Sequence, residues 1–282
     1  MENRQLNPLF GYFRQPAIYL NLPSKGKWWE ENALELPATG EIPIFPMTTR
    51  DEVILRTPDA LLNGQGVVDV IQSCCPSIKN AWGMPSVDVD AVLIAIRIAS
   101  YGNKMEFESK CGNCGAENSH DVDLSTPLGN ISCPNYDNVI KYKTLKIKLK
   151  PQHYFNANQA NLISFEEEKL RNIIGLSELE PEDKVAKLTE SMQKLVDLSA
   201  GVCANSTDYI EVDSGDRVHD FEFIKEFYKE AESNAVAQVQ AKLTELNEQT
   251  KMKPLKLGCI ECQQQYSVSL TFDYTSFFGK GF

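Results

Sequence analysis

Two Cys-x-x-Cys pairs, Cys111-Gly-Asn-Cys114 and Cys259-Ile-Glu-Cys262, are the residues of this chain best suited to chemistry. Four thiolates make a complete tetrahedral set for one Zn²⁺. A closed four-cysteine site holds structure and leaves no open position for a substrate. Gly112 and Gly115 permit the tight turn of a knuckle, and Gly258 stands just before the second one. Each pair is followed by an alternating segment, His120–Leu124 after the first and Tyr266–Phe272 after the second. The spacing therefore predicts two zinc-ribbon-like hairpins closing on one structural Zn²⁺ held by Cys111, Cys114, Cys259 and Cys262. A redox dithiol fits poorly, because neither pair lies in a thioredoxin-like strand–helix context. Of the other cysteines, Cys74, Cys75 and Cys203 read as small buried residues. Cys133 reads the same way, with a spare ligand as its lesser alternative.

Catalytic constellations are not found. The three histidines, His120, His153 and His219, stand outside any metalloprotease helix motif and beside no nucleophile. Gly64-Gln-Gly66 is too short to cradle a phosphate. The pairs Asp88/Asp90 and Asp121/Asp123 read as caps and turns, and Glu166-Glu167-Glu168 as a solvated helix face. The expectation is a protein that is not an enzyme. A net charge of −11, from 28 Lys and Arg against 39 Asp and Glu, argues against a duplex partner, whose phosphates need cations. The one basic stripe, Lys141, Lys143, Lys146, Lys148 and Lys150, reads first as a solvated or edge-protecting strand face. The N-terminal residues carry no signal-peptide pattern, and the apolar run Ala91–Ala99 is interrupted by Arg97 and too short to span a bilayer. A reducing cytoplasm follows, where thiols stay free for metal.

These residues must be carried by an α+β fold: a mainly helical body with a small zinc-ribbon-like β element formed by the two distant knuckles. Four regions are expected. Residues 1–50 hold six of the 14 prolines and read as an extended Pro/aromatic-rich arm, docked on a partner or folded back on its own core. Residues 51–150 read as a helical core unit with the first knuckle and its strands. Thr57-Pro58-Asp59 is a predicted helix start, Val67, Val70, Ile71 and Cys74 recur at helical spacing, and a core helix from Asp88 or Asp90 runs to Tyr101 with Gly102 as its cap. That helix is apolar nearly all round except for Arg97, which needs a carboxylate or a carbonyl; Asp51, Asp59 and Asp69 are the carboxylate candidates. Residues 125–138 read as a turn-rich link, and Tyr142–Lys150 as a half-exposed strand with Leu145, Ile147 and Leu149 inward.

Residues 151–252 read as a helical insertion. One helix opens at Glu180-Pro181 and ends at Gly201, with Val185, Leu188, Met192, Leu195, Val196 and Ser199 on one face. A hairpin turns at Ser214-Gly215-Asp216, Asp220 caps a helix bearing Ile224 and Tyr228, and a last helix runs over Ser233–Gln249 with Val236, Val239, Leu243 and Leu246 as its stripe. Residues 253–282 hold the second knuckle, a strand over Tyr266–Asp273 and an aromatic tail that either seals the domain or inserts in a partner.

Three stretches resemble a known family. Glu41–Gly64 (EIPIFPMTTRDEVILRTPDALLNG), the Leu22-Pro23-Ser24 step before it, and Asp88–Gly102 running into the first knuckle are similar to the baseplate hub (assembly) proteins of T-even-like contractile-tailed bacteriophages. The resemblance covers most of the chain and is weakest from about 150 to 250. It implies a late viral protein that forms or builds the central hub of the tail baseplate. Its partners would be other hub or wedge subunits in a hetero-oligomeric assembly, with no nucleic acid and no membrane. It would be found in host cytoplasm during assembly and then in the virion tail. The alternative from the residues alone is a zinc-ribbon module for nucleic acid or transcription, against which the acidic charge speaks.

Overall fold

A computed structural model describes residues 8–57, 64–176, 180–250, 252–268 and 277–278. Two hydrophobic cores organise it. The first is built on β1 (Ile18–Asn21) and β2 (Glu41–Ile44), which pair antiparallel with Leu20 opposite Ile42. Leu20, Leu22, Ile42 and Ile44 are buried. The Pro/aromatic-rich region thus folds back on its own core from residue 18 onward. Pro43 is accommodated because the sheet is two-stranded and every strand is an edge.

Helix α1 (Thr49–Leu55) is one the sequence reading did not include. Thr48 and Asp51 form a capping box, in which Asp51 Oδ2 accepts from the Thr48 N–H at 2.7 Å. The expected start at Pro58-Asp59 lies outside the described residues. Helix α2 (Gln65–Cys74) buries Val67, Val70, Ile71 and Cys74, the stripe its spacing predicted. Helix α3 (Ser86–Tyr101) is the central core helix; it ends at Gly102, whose φ of 82° needs glycine.

Arg97 on α3 finds a carbonyl; of its three candidate carboxylates, Asp59 lies outside the described residues. The Arg97 Nε donates to the Phe277 O at 3.0 Å, and its guanidinium lies 4.5 Å from the centre of the Tyr101 ring. The suggested Asp51 instead takes Arg14 at 3.3 Å, and Asp69 takes Gln65. Phe277 and Phe278 are buried in this first core, so at these two residues the tail seals the chain that carries it.

After α3 come the hairpin β3 (Lys104–Lys110) and β4 (Glu117–Asp123), then a short helix α4 (Ser125–Asn130) inside the expected link. The second core sits under a four-stranded antiparallel sheet of order β5 (Val139–Tyr142), β6 (Leu145–Leu149), β7 (Thr207–Glu211), β8 (Arg217–Val218). The sheet's β6–β7 pairing joins the strand expected over Tyr142–Lys150 to the hairpin expected around Ser214-Gly215-Asp216. Of the lysine stripe, Lys146 and Lys148 lie on the central strand β6 and Lys141 on the edge strand β5. Lys146 pairs with Glu211 at 2.7 Å, Lys143 with Glu232 at 2.7 Å, and Lys148 with the Asp137 carbonyl at 2.8 Å.

Between β6 and β7 rise two long helices, α5 (Tyr154–Leu176) and α6 (Pro181–Asn205). Helix α6 runs through Gly201, because the packing of Ala200, Cys203 and Ala204 in the second core outweighs the cost of about 1 kcal/mol for a helical glycine. Its expected apolar face is only partly covered: Val185, Met192 and Val196 are exposed. Glu167 departs from its expectation too, being buried where the seam of α5 and α6 closes over it. Helices α7 (Phe221–Glu230, capped by Asp220) and α8 (Ser233–Thr250) cover the sheet with Ile224, Tyr228, Val239 and Leu246. The chain then enters the hairpin β9 (Leu255–Gly258) and β10 (Gln265–Val268); the rest of the strand expected to Asp273 lies outside the described residues. No helix among the described residues is long and apolar enough to cross a membrane.

Candidate metal centre

Each cysteine pair occupies the turn of a hairpin. Strand β3 ends at Lys110, directly before Cys111, and β4 resumes at Glu117 opposite it. Strand β9 ends at Gly258, directly before Cys259, and β10 resumes at Gln265 opposite it. The two turns share one hydrogen-bond pattern. The Cys111 N–H donates to the Ala116 O and the Gly115 N–H to the Cys111 O; the Cys259 N–H donates to the Gln264 O and the Gln263 N–H to the Cys259 O. In both turns the residue four beyond the first cysteine is left-handed, Gly115 at φ 76° and Gln263 at φ 58°. Only the first uses the residue that adopts this conformation without steric cost.

The turns bring all four sulfurs together. Cys111 Sγ lies 3.8 Å from Cys262 Sγ, Cys114 Sγ lies 3.6 Å from Cys259 Sγ, and the four atoms lie within 4.8 Å of one another. Four sulfurs placed about 2.3 Å from a central Zn²⁺ would stand about 3.8 Å apart, so the observed spacing fits a tetrahedral metal. Among the described residues this is the one cluster of His, Cys, Asp or Glu with metal-site geometry. Cys133 is not in it; its Sγ lies against the Pro134 O and burial pushes its thiol up to about 11.

Electrostatics favour a cation at the same point. The Cys259 thiol is lowered to about 6, first by the N–H of Cys262 and, after the opposing effect of burial, by that of Glu261. Cys262 is lowered as well, by the Gln264 N–H and then by the Asn113 amide, which lies 3.6 Å from its Sγ. Cys114 is raised to about 12, because the helpful Ala116 N–H is outweighed by the thiols of Cys259, Cys262 and Cys111 together with burial. Knuckle amides thus invite thiolates that repel one another when gathered, and a divalent cation resolves the conflict. Cys111 and Cys259 are buried while Cys114 and Cys262 are more open, so one side of the cluster faces the interior.

Contacts besides the sulfurs dock the hairpins. Buried Asn118 accepts from the Ile260 N–H at 2.8 Å while its own amide donates to the Ala116 O at 3.0 Å, tying the second knuckle to the first. The Tyr266 hydroxyl bridges Ser109 Oγ at 2.7 Å and His120 Nε2 at 3.2 Å. Sequence reasoning placed all four cysteines and His120–Leu124, and missed Asn118, Tyr266 as a bridge, and β3. The signal for β3 was available: Met105, Phe107 and Ser109 alternate with Lys104, Glu106 and Glu108.

A profile of the family described as T4 bacteriophage base plate protein matches residues 17–279. No curated protein and no solved structure gives a significant match.

Proposed function

The chain belongs to the T4 bacteriophage base plate protein family, and from that premise we propose that it is a structural or assembly protein of the central baseplate hub. It acts through protein–protein contacts, joins other baseplate proteins in the virion tail, and uses one structural Zn²⁺ to hold its shape. The family match over residues 17–279 carries the baseplate role. Support for the hub position comes from the Leu22-Pro23-Ser24, Met47–Glu52 and Asp88–Gly102 segments.

Cys111, Cys114, Cys259 and Cys262 would hold the ion. When bound, it supplies charge neutralisation and a crosslink between β3–β4 and β9–β10, with no open coordination position for catalysis. The protein's own groups orient that crosslink: the knuckle N–H groups stabilise thiolates, and Asn118 and Tyr266 align the hairpins. Lys143 before β6 and Lys146 and Lys148 on it, held by Glu232, Glu211 and the Asp137 carbonyl, weaken the nucleic-acid alternative.

Cross-linking mass spectrometry on purified tails and baseplate precursors tests the position. Links to subunits around the tube axis are expected; links only to peripheral subunits would refute the hub assignment. Presence in precursors but not in virions would make the chain an assembly factor within the same proposal. Elemental analysis of the reduced protein tests the metal, where one zinc per chain is expected and a folded protein with none would sink the zinc assignment.

A further inference from the structure

Helix α5 carries a second pattern that neither core uses. Asn156, Gln159, Ile163, Glu166, Leu170 and Ile173 follow one another at alternating steps of three and four residues, the spacing of a coiled-coil seam. The first four line a groove of about 790 Å³ between α5, α6 and the start of α7, floored by Leu198, Val202 and Phe221. The apolar members of this seam stand open: Ile163 is 36% exposed, Leu170 38% and Ile173 56%, and Phe221 of the floor is 39% exposed. A seam of this spacing whose apolar members stand this open has the pattern of a helix-packing surface with room for a partner.

Of the five charged residues that line the groove, Glu166, Glu167 and Asp197 are acidic and Lys194 and Lys225 basic. Asp197 is consumed by Lys225 and Lys229. Glu166 makes no ion pair among the described residues, while Glu167 is buried with Oε1 3.7 Å from Lys194 Nζ and Oε2 without a hydrogen-bond partner among the described residues. Lys194 is itself shared with Glu190 at 3.1 Å. Glu166, the exposed one of the two, is thus left for a partner's cation beside an apolar floor.

We propose that this groove receives one amphipathic α-helix of another baseplate protein, with apolar residues at heptad spacing and a lysine or arginine against Glu166. The inference rests on the baseplate reading above and adds the chemistry of the partner. A second copy of this chain is a poor occupant. Seam against seam would bring Glu166 of both copies into one interface, between chains that each carry a net charge of −11.

The test uses the full chain in infected cells, with a photo-crosslinking amino acid at Leu170 on the seam or at Ile260 on the second knuckle as a reference position. Tails and their precursors are isolated and the linked peptides sequenced. The expected result is a link from position 170 to a helical segment of a different baseplate protein, apolar at heptad spacing and bearing Lys or Arg. Glu166→Lys should reduce that link on the order of tenfold, with the purified variant melting as the parent does, and a reversed charge on the partner's helix should restore it. A link from 170 to a second copy of the chain, or to an acidic or extended segment, would overturn the inference. Links from 260 with none from 170 would overturn the groove alone and leave the baseplate reading standing. No link to any baseplate protein from either position would overturn both.

Discussion

Asp88 is the least comfortable ionisable residue in the first core. It is fully buried on α3, and accepts from the Ser24 N–H at 2.7 Å, from Ser24 Oγ at 2.5 Å and from Trp29 Nε1 at 3.0 Å. Burial raises its carboxyl from 3.8 to about 6, against the lowering effect of Ser24 and Trp29. A raised acid binds its proton more tightly in the folded state, so its contribution is greatest below pH 4, falls as pH rises to about 6, and is flat above. That shift corresponds to about 3 kcal/mol across the window. Urea unfolding between pH 4 and 7 should show this slope in the parent protein and not in Asp88→Asn. At the cysteines, Cys111→Ser should drop zinc from one per chain to near zero and lower the melting temperature by on the order of 10 °C. Equal zinc in variant and parent would count against the four-thiolate site. The cysteines were legible because ligand spacing is local; Gln263 was not, since its left-handed turn is recognised only by its equivalence to Gly115.

Several elements whose signals are local were read correctly. Gly102 ends α3, Asp220 caps α7 by accepting from the Phe223 N–H at 3.0 Å, and Gly215 turns β7 into β8. Elements decided by distant partners were not. The pairing of β6 with β7 spans two long helices, and nothing in either strand states its partner. The face of α6 holding Val185, Met192 and Val196 has the periodicity of a buried stripe yet remains exposed, since periodicity reports a face and not what covers it. One junction between elements gives a sharp prediction. Gly64, at φ 78°, starts α2, and a Cβ there would stand 2.9 Å from the side chain of Asn158 on α5. Gly64→Ala should therefore cost about 1–3 kcal/mol, combining left-handed strain with the displacement of Asn158, measured by chemical denaturation. A neutral result would mean that α2 and α5 are not held in contact.

The whole molecule is closed by two long-range ties that lie near each other along the chain. The second knuckle joins the first through the cysteines and Asn118, and soon after it Phe277 and Phe278 enter the first core, where the Phe277 carbonyl holds Arg97. On the zinc assignment proposed above, removal of the metal should therefore be felt beyond the hairpins. With a chelator under reducing conditions, hydrogen exchange is expected to quicken in β9, β10 and the C-terminal turns of α3, and much less in the sheet of β5 to β8. Exchange that quickens only at the knuckles would mean that Phe277 and Phe278 stay seated without the metal. The same ties put a clock on biosynthesis. Cys114 and Cys259 are 145 residues apart and Arg97 and Phe277 are 180 apart. At a ribosomal rate of about 5–20 residues per second, the first knuckle leaves the exit tunnel roughly 7–30 s before its partner. Through that interval Cys111 and Cys114 are half a chelate and the groove around Arg97 lacks its aromatic plug. The nascent protein is then most exposed to stray metals, oxidants and premature association, and a host cell starved of zinc should yield aggregated chains before it yields misassembled tails.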